Sequence, residues 1–217
     1  MNELVQNLAI YAIPVIFAIT LHEAAHAYVA RYFGDGTASE RGRLSLNPMK
    51  HVDLFGTILI PAILFLSNVG FIFGYAKPVP IDYSRMKDPK RNMLWVALAG
   101  PASNFFMALI WLLVGYSAGE LQIQSPIILE MIKVGIQINL VMFALNLFPL
   151  VPLDGGRILT SLLPMKQAIQ FSKIEPYGFF IIIGLLYTKI LYYWLVPVMM
   201  ATLSILELLI SPLKFFN

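Results

Sequence analysis

Residues 4–29 read LVQNLAIYAIPVIFAITLHEAAHAYV, and the only acidic, basic or imidazole side chains in this run are His22, Glu23 and His26. A stretch so long and so apolar predicts a helix able to cross a bilayer. Spacing of four puts both imidazoles on one helical face, one turn apart, where they can grip a single metal ion. Glu23 lies beside them and is placed to act on a water held by that ion. Ionisable groups at membrane depth are costly, so three of them in this order point to a functional site. The competing reading is a surface pair of histidines without a metal. The apolar context weighs against it, because imidazole and carboxylate in lipid would go uncompensated.

The rest of the 217-residue chain is built in the same way: 59% hydrophobic, 12% charged, mean hydropathy +0.75. Soluble domains carry about twice that charged fraction. The expected fold is therefore an all-α polytopic membrane protein, one unit over 1–217. Its core is expected over about 4–176, with a C-terminal helical hairpin over about 178–211. Cysteine is absent, which excludes disulfides, thiolate metal sites and cysteine nucleophiles. The net charge of +3 is spread over loops and gives no nucleic-acid footprint. The first residues lack the basic region and cleavage site of a signal peptide, so they are expected to start the first helix.

Apolar runs and breakers predict the layout. Helix one is expected over about Glu3–Phe33, ended by Gly34-Asp35-Gly36. The alternation at Arg41–Leu46 suggests a short strand-like region after it. Leu54–Tyr75 is apolar but broken by Gly56, Pro61 and Ser67-Asn68, whereas Leu94–Tyr116 and Ile127–Leu147 are clean spans. Val151–Pro176 reads as a mixed loop with a short helix. Phe179–Ile210 reads as a tight helical pair interrupted by Lys189 and Pro197, with Tyr187, Tyr192, Tyr193 and Trp194 as an interfacial aromatic belt.

A tetrahedral catalytic metal wants a third protein ligand. Soluble zinc peptidases often take it from a His six residues after the second, but that position is Tyr32. Asp35, Glu40, His51, Asp53 and Asp154 remain. Of these Asp154, in NLFPLVPLDGGR at 146–157, is the best placed, just past the end of the Ile127 span. It can meet the histidines only if both helices end on the same side of the membrane. Leu54–Tyr75 must then dip in and return near Ser67-Asn68 as a re-entrant hairpin, giving about five to six membrane segments. With that dip, thirteen of the fifteen Lys and Arg side chains share one side, and only Lys133 and Lys189 fall toward the other. That bias makes the basic side cytoplasmic, with the N-terminus outside.

HEAAH on a first membrane helix, together with NLFPLVPLDGGR, resembles the site-2 protease family of intramembrane zinc metalloproteases. AGPASN at 99–104 is similar to that family's AGPxxN element, and GRLSLNP at 42–48 and GYAKPVP at 74–80 resemble its compact prokaryotic branch. The resemblance covers roughly residues 15–180. It implies one Zn2+ per chain on His22, His26 and Asp154, with Glu23 activating the water. It also implies that Asn146 engages the substrate backbone or helps stabilise the oxyanion. No appended PDZ or CBS-like module is evident.

The expectation is thus a multi-pass cell-membrane protease acting on single-span membrane-protein substrates from the cytoplasmic side, in contact with lipid and not with nucleic acid. An unwound substrate is expected to pair along Arg43–Leu46. The rival is a metal transporter or sensor using the same ligands without hydrolysis, which would make Glu23 dispensable. Asn104 is expected either to glue helices together or to line the site. His51 is expected as an interfacial loop residue.

Overall fold

The computed structural model describes residues 3–60, 63, 67 and 77–212, with side chains described except at 3–9, 57 and 58. Helix α1 runs Glu3–Tyr32, and a short α2 covers Thr37–Glu40. Then come α3 (Pro89–Glu120), α4 (Pro126–Asn146), α5 (Asp154–Leu162), α6 (Met165–Ser172), α7 (Glu175–Tyr187) and α8 (Tyr192–Ile210). Four of these, α1 from Ile10, α3, α4 and α8, are long and apolar enough to cross a membrane. The pair α6 and α7, bent by 64° at its break, makes a fifth if it counts as one span.

The helix starts follow from local chemistry. Asp88 caps α3 by accepting the Arg91 N–H, and Pro89, which has no N–H to lose, takes the first helical position. The helix therefore begins five residues before the apolar run at Leu94 and carries Lys90 and Arg91 in its first turn. Its 32 residues rise about 48 Å, well beyond a bilayer core of about 30 Å. Pro197 does not interrupt α8. The break before that helix is made at Lys189, which sits at φ +61°.

No strand occurs among the described residues, so the strand expected after helix one is corrected. The α2 turn ends at Gly42 with φ +62°, and the next two N–H groups, of Arg43 and Leu44, both donate to the Ala38 carbonyl at 2.7 and 3.2 Å. Asn47 N–H turns to the Ser45 hydroxyl. These three donors are satisfied within the turn and not by a neighbouring strand. The dip expected over 54–75 falls largely outside the described residues. Leu54–Leu59 forms a π-helical turn capped by Asp53, and Ser67 sits in a turn on the Ile63 carbonyl. Gly74–Ala76 and Lys214 also lie outside.

In the core, α3 packs against α1, α4 and α5, while α8 covers α4 and α3. Ala108, Leu140 and Leu206 join α3, α4 and α8. Ala144, Leu150, Ile182, Leu191 and Leu195 bind the turn after α4 to α7 and α8. Trp194 belongs to this second cluster: its indole N–H donates to the Ala144 carbonyl at 2.8 Å and its ring meets Phe148 edge-on. It is helix glue, and the aromatic belt shrinks to its exposed tyrosine neighbours.

Candidate metal centre

His22 and His26 project from the same face of α1, as their spacing requires. Asp154 opens α5, at the end of the proline-rich turn that follows α4. The structure brings the three together: one ligand atom from each lies within 4.8 Å of the others, and all three residues are buried. The two Nε2 atoms are 3.1 Å apart, and Asp154 Oδ2 lies 3.2 and 3.3 Å from them.

The opposite edge of each imidazole decides what this cluster is. His26 Nδ1 meets the Val96 carbonyl at 2.7 Å, and His22 Nδ1 meets Asn104 Oδ1 at 2.6 Å. Both partners can only accept, so each Nδ1 carries its proton and each Nε2 presents a lone pair. Asp154 Oδ2 is itself buried without a hydrogen-bond donor. Three electron-pair donors thus face one another with no proton between them, an arrangement that a cation relieves. A tetrahedral ion with bonds of about 2.0–2.1 Å spaces its ligand atoms about 3.3 Å apart. The donor set and its edges fit a divalent ion of that kind.

Helix α3 makes this possible through Val96, Gly100 and Asn104, three residues spaced by four that match the spacing of His22 and His26 in antiparallel register. A Cβ at Gly100 would strike both imidazole rings. At the other wall, a Cβ at Gly155 or Gly156 would strike the backbone of the turn over 147–151, so the paired glycines let the first turn of α5 seat against it.

Around the cluster lies a cleft of about 520 Å3. Glu23 lines it, with Oε2 accepting the Val79 N–H at 2.8 Å. Asn146 lines it too, one amide proton committed to the Met142 carbonyl of its own helix. Tyr83, Arg157 and Glu175 add a polar patch in which Arg157 pairs with Glu175 at 2.9 Å. Burial pushes the Tyr83 phenol up, so it stays neutral there.

The other candidate ligands are occupied elsewhere, chiefly in holding the extended segment 77–82 across the cleft. Asp35 accepts the Asp82 N–H at 2.7 Å and both the N–H and the hydroxyl of Thr37. His51 lies in a loop, and its side chain is buried there. Its carbonyl takes the Lys77 N–H and its Nε2 donates to the Ser45 carbonyl. Glu40 pairs with Arg85 and Asp53 caps the π-helical turn. Asn104 is buried behind His22 and does not line the cleft. Sequence reasoning had left its role open and had missed Val96. The signal available for both was the four-residue spacing through Gly100.

Residues 122–188 match the profile of peptidase family M50. The chain is 42% identical over 194 residues to a Bacillus subtilis protein named "Putative zinc metalloprotease YwhC", covering 87% of this chain and 85% of that one. It is 29% identical to "Putative zinc metalloprotease Rip2" of Mycolicibacterium smegmatis, over 82% of this chain and 67% of the relative. A third relative, "Zinc metalloprotease MJ0392" of Methanocaldococcus jannaschii, is 27% identical over 76% of this chain but only 38% of its own length. No solved structure gives a significant match. On the family profile and on the first of these relatives, whose length it largely spans, the chain belongs to peptidase family M50, the site-2 proteases.

Proposed function

We propose that the chain is an intramembrane zinc metalloprotease that hydrolyses peptide bonds of membrane-spanning proteins, single-span substrates above all. The observation that carries this reading is the buried set of three unshared electron pairs from His22, His26 and Asp154, with the Glu23 carboxylate beside it in an open cleft. Membership of a peptidase family and the zinc in the relatives' names support it. Whole-chain organisation is proposed as one unit over 1–217 with five to six membrane segments, including a re-entrant hairpin after α2. The charge bias supports a cytoplasmic site and an outside N-terminus.

His22, His26 and Asp154 would hold one zinc ion. The chemistry such an ion supplies when bound is Lewis acidity: a water pKa drawn toward neutrality and a polarised carbonyl. Glu23 takes the proton of the attacking water as general base and returns it to the departing amine. Its Oε2 is tied to the Val79 N–H, so Oε1 is the oxygen available for that proton. Asn146 donates its second amide proton to the oxygen on which negative charge develops. A helical substrate hides its peptide bonds and must unwind locally before it reaches this cleft.

The test is cleavage of a purified single-span substrate by the full chain in detergent. Activity is expected to vanish with 1,10-phenanthroline and to return on adding zinc back. Cleavage that ignores the chelator would overturn the metal reading. A chain that holds zinc and leaves every peptide bond intact would overturn the protease reading.

A further inference from the structure

Behind His22 stand two buried amides whose order has a direction. Asn139 on α4 and Asn104 on α3 are both 0% exposed, and neither lines the cleft. Asn139 Nδ2 donates to the Gly135 carbonyl, one turn back on its own helix, at 2.8 Å. A carbonyl only accepts, so this bond fixes which end of the Asn139 amide points away. The end that does is Oδ1, and it accepts from Asn104 Nδ2 at 3.0 Å. The same Nδ2 reaches the Ala18 carbonyl of α1 at 3.3 Å. Asn104 is thereby turned so that its Oδ1, and not its amino group, faces His22 Nδ1 at 2.6 Å.

The orientation matters because the opposite one would spoil the site. A flipped Asn104 would present N–H groups to Nδ1, drive the imidazole proton onto Nε2, and remove the lone pair that faces Asp154. His26 has no such exposure to error, since its Nδ1 rests on a main-chain carbonyl that cannot flip.

We infer that Asn139 is a positioning residue of the metal centre: through the shorter of the two bonds from Asn104 Nδ2, and together with the Ala18 carbonyl, it holds the amide orientation of Asn104 and, through it, the tautomer of His22. The inference rests on the reading of His22 as a metal ligand. Partners of metal-bound histidines typically carry roughly 10- to 100-fold in metal affinity, and Asn139 acts one step further out.

The experiment measures zinc affinity of the full chain in detergent by competition with a chromophoric chelator, with the thermal midpoint of the metal-free protein recorded alongside. Asn139→Leu should weaken zinc about 10-fold. Asn139→Asp, held as the neutral acid at so buried a position, still donates its O–H to the Gly135 carbonyl and accepts from Asn104 with its other oxygen, and should stay close to wild type. The decisive arm places Asn139→Leu in an Asn104→Asp background. Both oxygens of Asp accept, so its orientation no longer matters and Asn139→Leu should cost no affinity there. Equal losses in both backgrounds would mean that Asn139 merely supports the fold, and would overturn the inference. So would unchanged affinity for Asn139→Leu alone. Should that variant not fold, Asn139→Ala carries the same comparison. A wild-type chain that fails to bind zinc would instead sink the metal reading itself, so the two failures are told apart.

Discussion

Glu23→Gln should retain one zinc per chain and lose peptide hydrolysis by about 10²–10⁴-fold, the range a general base commonly contributes. The replacement has nearly the same shape, and its amide oxygen can still accept the Val79 N–H that now ends on Oε2. The segment 77–82 and the cleft should therefore stay in place, so that the loss reports proton transfer alone. Zinc content and cleavage of one substrate, measured on the same preparation, give the answer. Undiminished cleavage would discard Glu23 as the base. Zinc flux into vesicles that survives the change, without hydrolysis in wild type, would favour a transporter on the same ligands.

Gly100→Ala should be among the most damaging single-methyl changes in the chain. On helix propensity alone, alanine in a helix interior gains about 1 kcal/mol over glycine. Here the added Cβ lands on both imidazoles, and their outer edges are pinned by Val96 and Asn104, so neither ring can retreat without giving up a hydrogen bond. Overpacking of this kind costs about 1–3 kcal/mol, which reverses the sign, and the displaced rings no longer converge on one point. Gly119 lies on the same helix with nothing within 4 Å of its would-be Cβ. Gly119→Ala should therefore keep or raise the thermal midpoint with zinc binding intact, while Gly100→Ala lowers both. Equal behaviour of the two variants would contradict the packing described for α1 and α3.

Much of this was legible in the residues. The spans α1 and α4 were bounded to within a residue or so, because apolar runs closed by glycine or opened by proline report their own limits. His22 and His26 stood out because ionisable groups in apolar surroundings are rare, whereas Asp154 stood among five candidates and was singled out by its place just past the end of α4 and by the resemblance that NLFPLVPLDGGR carries. Three things were not legible. The start of α3 lay hidden because a capped polar turn carries no hydropathy signal. Arg43–Leu46 alternates like a strand, but after a left-handed Gly42 its first two N–H groups turn back to the Ala38 carbonyl, and a turn of that kind leaves no mark on periodicity. Trp194 sits among tyrosines as an interfacial residue would, yet its N–H finds a carbonyl of α4, a pairing between segments fifty positions apart.

The central claim is that Asp154, distant in sequence, completes a metal site with two imidazoles of the first helix. Zinc quantitation on detergent-purified wild type and Asp154→Ala tests it most directly. One zinc per chain in wild type is predicted, with affinity in the variant falling by more than the roughly 10- to 100-fold that outer partners carry. Equal zinc in both proteins, at equal affinity, would contradict it.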